Sequence, residues 1–272
     1  MTMTRPLLLA TALLTACALH AQKVDPRHTN FYRVPAPVEN EVIRIEFKDP
    51  VAQLAMCKVR VELTNKTSDI LIIKASEIVF TVGGATYSPK DRDFVIRPND
   101  RINRTLEITG GNMHHDAFSV KFGGANRLSR SEGALKVPDF DVPPSKNSFT
   151  AGNFEVNLVN MDKETAKTAL KFKVVYRGSK VALVDPSRTA LRIESGQEFA
   201  NASSKSKEVI LQQGEDDAFT VYGEIPGKIV DMQFANMKLV WNDAFREVTP
   251  KPFKIGTVDF TIDPGLTEGK NR

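Results

Sequence analysis

Residues 57–80 read CKVRVELTNKTSDILIIKASEIVF, and they decide the fold. Cys57, Val59, Val61 and Leu63 are apolar on one parity, whereas Lys58, Arg60, Glu62 and Thr64 are polar on the other. A period of two sets the apolar residues on one face of a strand and the charges in water. Asn65 to Asp69 then supplies turn chemistry, because short Asn, Ser and Asp side chains bond nearby backbone groups. Ile70 to Ile73 is β-branched and apolar without alternation, which predicts a short strand buried on both faces or near a sheet centre. Gly83-Gly84, between Ile78–Val82 and Ala85–Tyr87, predicts a two-residue hairpin. Nothing in the stretch has the period of a helix.

Moving outward, the same layout recurs. A shift of 111 residues carries Ile43, Ile45 and Phe47 onto Phe154, Val156 and Leu158, and Val59, Val61 and Leu63 onto Leu170, Phe172 and Val174. It also carries Ile70, Ile72 and Ile73 onto Val181, Leu183 and Val184, and Ser76 onto Ser187. The shift then grows: 115 aligns Ile96, Thr105 and Leu106 with Leu211, Thr220 and Val221, and 119 aligns Phe118, Val120 and Phe122 with Met237, Leu239 and Trp241. A shift of 120 aligns Asp139-Phe140 and Val142 with Asp259-Phe260 and Ile262. Two copies of one supersecondary unit explain four ordered matches. Each copy has short strands, turn signals every 8–12 residues and no amphipathic helix, the profile of an immunoglobulin-like β-sandwich.

The expected fold is therefore all-β, with two tandem immunoglobulin-like sandwiches after an N-terminal signal peptide. Residues 1–21 are the signal, 22–40 an exposed lead-in, 41–144 the first domain, 145–265 the second and 266–272 a C-terminal tail. Asp162 to Ala169 reads as a loop or short turn, and residues 126–134 and 242–250 as polar links before each last strand. The Asn-Lys-Thr turn, the Ser-x-Ile-x-Phe strand from Ser76 and the Ile96-x-Pro-Asn-Asp turn before Thr105-Leu106 resemble immunoglobulin-like accessory domains of exported bacterial proteins. The resemblance spans residues 41–264 and implies secretion and a noncatalytic role in adhesion, ligand capture or assembly. It transfers no active-site residue.

The N-terminus carries the grammar of export: Arg5, then an apolar segment from Leu7 to Leu14 too short to span a bilayer. Two processing routes remain open. Leu19-His20-Ala21 suits ordinary cleavage before Gln22, whereas Leu14-Thr15-Ala16-Cys17 resembles a lipoprotein box that would lipidate Cys17. Either places the protein in the periplasm, the medium or a lipid-anchored envelope position. Without residues 1–21 the net charge is 36 − 33 = +3, of mixed sign. No Lys/Arg cluster suits nucleic acid. The remaining cysteine, Cys57, falls on an apolar parity and reads as core rather than nucleophile.

His114-His115-Asp116 is the only cluster of metal-type ligands along the chain. Adjacent side chains in an extended segment diverge, so the triplet reads as a polar hairpin tip, with no metal or other cofactor expected. No nucleophile elbow, His-Glu-x-x-His, phosphate loop or Cys-x-x-Cys is present, and a non-enzyme is expected. Partner binding is assigned to the two turns that differ between the copies: Asn65, Lys66, Thr67 and Asp69 in one, Arg177, Ser179 and Lys180 in the other. The expected partner is another envelope protein or a surface glycan. One alternative is a periplasmic assembly chaperone that donates Ala134 to Val142 to a client by β-augmentation; a small-molecule hydrolase is the third.

Overall fold

The computed structural model describes residues 25, 27–203 and 206–272. The segment expected to be a signal, residues 1–21, and with it Cys17, lies outside the described residues. Among the described residues the fold is all-β: antiparallel sheets account for nearly all regular structure, with two 3-10 turns and one short helix, Pro264–Lys270. No helix among the described residues is long and apolar enough to cross a membrane.

The sheets gather around two cores. In the first lobe, Asn30–Phe31, Ile43–Gln53, Met56–Asn65 and Arg101–Thr109 form one sheet, with Val38–Glu39 added beside Ile43–Gln53. Ile78–Val82 and Ala85–Tyr87 form the hairpin expected at Gly83-Gly84 and belong to a second sheet with Ala117–Phe122. Ile70–Ile73 is the inner strand of a third sheet, between Ala125–Leu128 and Phe94–Ile96. Inward residues of all three meet in one core that holds Cys57, Val59, Val61, Leu63, Phe80 and Phe118. The second lobe repeats the arrangement, and its core surrounds Trp241 with Phe149, Phe172, Phe219 and Phe245. Ser76 and Ser187, aligned by the repeat, fall in equivalent 3-10 turns, Ala75–Glu77 and Pro186–Arg188.

The last strands of the repeats are exchanged. Phe140–Val142 closes the first repeat in sequence, yet it pairs with Met237–Val240 in the second lobe. Gly256–Thr261 closes the second repeat and pairs with Ala117–Phe122 in the first. The strands just before them are exchanged too: Lys251–Pro252 joins Ala125–Leu128, and Ala134 bridges Arg246. Phe260 is buried in the first core, stacked on Phe118 with ring centroids 4.5 Å apart. Phe140 lies edge-on to Phe172 in the second core at 5.4 Å. The division at residue 144 thus follows the chain and not the packing; the first lobe takes in residues 251–262 and the second begins near 134. The segment Ala134 to Val142 is a donor strand, but it completes the other lobe of its own chain.

The crossing point explains one glycine. Gly133 has φ +71°, and a Cβ there would lie 2.1 Å from the carbonyl oxygen of Glu247. Its own carbonyl accepts the Glu247 N–H at 2.9 Å, so the two crossing links touch backbone to backbone where only glycine fits.

Between the lobes, matching sheet faces meet. Ile70, Leu128, Leu183 and Val248 form a small buried core flanked by Ile72, Val95, Val181 and Ile210. By the repeat these are four equivalent pairs, 70 with 181, 72 with 183, 95 with 210 and 128 with 248, so the interface is self-complementary in the manner of a two-fold dimer. It also accounts for the unalternating runs Ile70–Ile73 and Val181–Val184: one parity feeds a lobe core, the other this junction.

Several sequence expectations need correction. Residues 22–40 are not simply exposed: Asn30–Phe31 and Val38–Glu39 pair with Ile43–Gln53, and Tyr32 is buried in the first core. The tail holds the helix Pro264–Lys270, capped by Asp263, and Thr267 Oγ1 accepts the Phe31 N–H at 3.0 Å. The loop expected over Asp162 to Ala169 is a hairpin end, since Phe154–Lys163 and Lys167–Tyr176 extend through it. The expected links 126–134 and 242–250 overlap the strands Ala125–Leu128 and Phe245–Val248. Their Arg127 and Arg246 hid the pattern: Arg127 is held by Asp69, and Arg246 is buried with its Nη1 donating to the Asp243 carbonyl.

Candidate functional site

The two turns assigned to binding serve different ends. Asn65 is buried, and its amide Nδ2 donates to the carbonyls of Asp69 at 2.7 Å, Arg97 at 2.9 Å and Ile96 at 3.2 Å. Its Oδ1 accepts from the Thr67 N–H at 2.9 Å and hydroxyl at 2.8 Å. Asn65 and Thr67 therefore spend their polar groups shaping the turn. Lys66 donates to Glu39 at 2.6 Å and holds that carboxyl below its usual range. Asp69 faces the junction. Arg177 pairs with Glu155 at 3.1 Å, while Ser179 and Lys180 are exposed. In the first turn Lys66 and Ser68 are exposed, and in the second Arg177, Ser179 and Lys180 are.

At the junction Asp69 accepts from Arg127 Nε at 2.6 Å and from the Arg130 backbone N–H at 3.0 Å. The Arg130 guanidinium reaches the other lobe, donating to Glu208 at 3.1 Å and Asp185 at 3.2 Å. Asp185 also accepts from Arg188 at 3.3 Å and the Ser187 N–H at 3.1 Å. One residue on the crossing link thus ties carboxylates of both lobes. Burial raises the Glu208 carboxyl above its ordinary value despite Arg130, with Asp185 adding to the rise. Burial lowers the Arg246 guanidinium, reinforced by nearby Arg188. The network costs desolvation and returns registry between lobes. No local pattern marks it, since Arg130, Asp185 and Glu208 look like any surface charges until the lobes meet.

The open surfaces that repeat are strand edges. Arg101–Thr109 and Asp216–Glu224 are the last strands of their sheets. Backbone direction follows from the bonds that bracket each one. The Asn65 N–H donates to the Asp100 carbonyl and the Gly110 N–H to the Ala55 carbonyl, so even-numbered residues face the sheet and Asn103, Thr105 and Glu107 turn their backbone outward. In the second lobe the Tyr176 N–H donates to the Glu215 carbonyl, which turns Ala218, Thr220 and Tyr222 outward. Tyr222 is satisfied: its N–H donates to Asn201 Oδ1 at 3.2 Å, and its carbonyl accepts from Ala202 at 2.8 Å. Among the described residues, Thr105 and Thr220 have no such partner.

Each free edge lies in a groove. The first, of about 530 Å³, runs between Thr105, Glu107 and Thr109 and the segment with Tyr87, Ser88, Lys90 and Asp91. The second, of about 740 Å³, runs between Ala218, Thr220 and Tyr222 and the segment with Ala202, Ser203 and Lys207, with Arg97 of the first lobe at its end. The repeat shift of 115 carries Thr105 onto Thr220, so the grooves are counterparts. Both offer outward backbone groups without a partner among the described residues, beside mixed charges, a setting for an added strand. Sequence periodicity locates these strands but not their edges, because sheet order is tertiary.

Cys57 is fully buried, and burial pushes its thiol up to about 12, the opposite of a nucleophile's setting. Trp241 is buried. His114 does not act with His115; it meets His28, 86 residues away, with His28 Nδ1 and His114 Nε2 2.7 Å apart.

No protein-family model matches the chain, and none of the curated proteins matches it in sequence. Among solved structures, procruciferin, an 11S globulin from Brassica napus, aligns at TM-score 0.18 and 10% identity over 84% of this chain and 87% of that chain. A structure of infectious bursal disease virus Gx strain aligns at TM-score 0.20 and 10% identity over 88% of this chain and 67% of that chain. Both scores are too low to carry an argument, so fold and site rest on the geometry above.

Proposed function

We propose that the protein is a noncatalytic, exported cell-envelope binding module. Two immunoglobulin-like sandwiches, interlocked by exchanged strands, hold two equivalent free edges at a fixed spacing. The partner is an extended segment of another envelope protein, which adds to the edge at Thr105, at Thr220 or at both. The observation that carries this reading is the recurrence of an unpaired outward backbone inside a groove at matching positions of both lobes. Two linked sites gain avidity when one partner engages both.

The test uses proline. Pro is tolerated on an edge strand where the lost N–H faces away from the sheet, so Thr105→Pro and Thr220→Pro should fold and block strand addition. Capture of a partner from envelope extract by the full chain should fall in each variant and vanish in the double variant. Undiminished capture by a folded double variant would overturn the proposal, and hydrolysis of a substrate by the purified protein would overturn its noncatalytic character.

A further inference from the structure

His28 and His114 come from distant parts of the chain, and neither belongs to the edge grooves. Both are half-buried, and their rings meet edge to face with centroids 4.7 Å apart. The backbone on either side of the pair is pinned. The His28 N–H donates to the Asp25 carbonyl at 2.9 Å, and Asn30–Phe31 pairs with Val51 and Ala52 shortly after. Met113, fully buried, donates its N–H to the Leu54 carbonyl at 2.9 Å. The His115 carbonyl accepts the Tyr32 hydroxyl at 2.6 Å and Asn30 Nδ2 at 3.2 Å, which ties the loop of His114 to the segment of His28.

These bonds hold two imidazole nitrogens opposite each other, sharing a hydrogen bond in which one ring donates and the other accepts. Two ligands of one metal at about 2.0–2.1 Å stand roughly 2.9–3.4 Å apart, depending on the bond angle, so the observed separation of 2.7 Å needs an opening of only a few tenths of an ångström. We propose that His28 Nδ1 and His114 Nε2 form a two-histidine site for a divalent transition metal of the imidazole-preferring class, zinc, nickel or copper. Among the described residues no group of three His, Cys, Asp or Glu side chains gathers to hold a metal, so solvent completes the coordination and binding is correspondingly modest. The metal staples the segment around residues 27–32 to the loop 110–116. His115 takes no part: its ring lies against Gly83, where an added Cβ would fall 2.2 Å from its Nε2.

Chelator-treated full-length protein, titrated with zinc or nickel in a calorimeter, should bind one equivalent through this pair. His28→Gln and His114→Gln should each weaken binding at least tenfold, while His115→Gln and His20→Gln should not change it. Independently, zinc should shift the imidazole nitrogen resonances of His28 and His114 in the parent protein and leave those of His115 in place, a readout that survives if a variant folds poorly. Absence of metal binding, unchanged affinity in both folded variants, or shifts confined to His115 or His20 would overturn the proposal.

Discussion

Replacing Phe260 with Ala separates the exchanged arrangement from the order of the chain. Phe260 belongs to the second repeat by sequence, but its ring lies in the first core, stacked on Phe118 and edge-on to Phe47. Truncating a buried Phe costs about 3–5 kcal/mol from lost transfer energy and the cavity left behind. The chain supplies a probe for each lobe: Cys57 is buried in the first core, and Trp241, the sole tryptophan, in the second. With Cys17 replaced by Ser, Cys57 is the only thiol. Its labelling rate in native buffer reports opening of the first lobe, and a loss of about 3 kcal/mol corresponds to roughly a hundredfold faster labelling. Phe260→Ala should accelerate Cys57 labelling by about that factor. Phe140→Ala, nearer Cys57 in sequence, should instead disturb Trp241 fluorescence first. In urea the two probes of the parent protein should lose signal together, because neither lobe is complete without the other's strand. Unchanged Cys57 protection in Phe260→Ala, alongside early loss of the Trp241 signal, would refute the exchange.

Other expectations follow from the crossing and the junction. Gly133→Ala should lower the urea midpoint by the equivalent of about 2 kcal/mol or more, since it combines a positive φ with backbone contact. Arg130→Ala strips a cation from Asp185 and Glu208, whose side chains are each only 5% exposed; a loss of about 3 kcal/mol in equilibrium unfolding is expected, and a loss under about 0.5 kcal/mol would show that the carboxylates find other partners. The Glu208 carboxyl, raised above its ordinary 4.5, holds its proton to higher pH in the folded state than in the unfolded one. Its contribution is thus fully present below that ordinary value and lost as pH rises through the raised one. Glu208→Gln cannot ionise, so its melting temperature should gain on the parent's as pH climbs from about 4.5, and parallel curves would count against the assignment.

Sequence alone determined the local structure: the alternation at Cys57–Leu63, the Gly83-Gly84 hairpin, the inward phenylalanines and the duplication all follow from periodicities of a few residues. It also marked Ile70–Ile73 as doubly buried. What it left undecided is which surfaces meet. A strand with the pattern of Phe140–Val142 or Gly256–Thr261 satisfies either lobe equally, because the repeats offer similar acceptor sheets, so nothing local distinguishes pairing at home from pairing across. The choice is made by the crossing at Gly133, the junction core and the carboxylates around Arg130. The same reason hid the pair of His28 and His114, and it hid the long-range partners of the first turn: Asn65 donates to the carbonyls of Ile96 and Arg97, and Asp69 accepts from Arg127 and the Arg130 backbone.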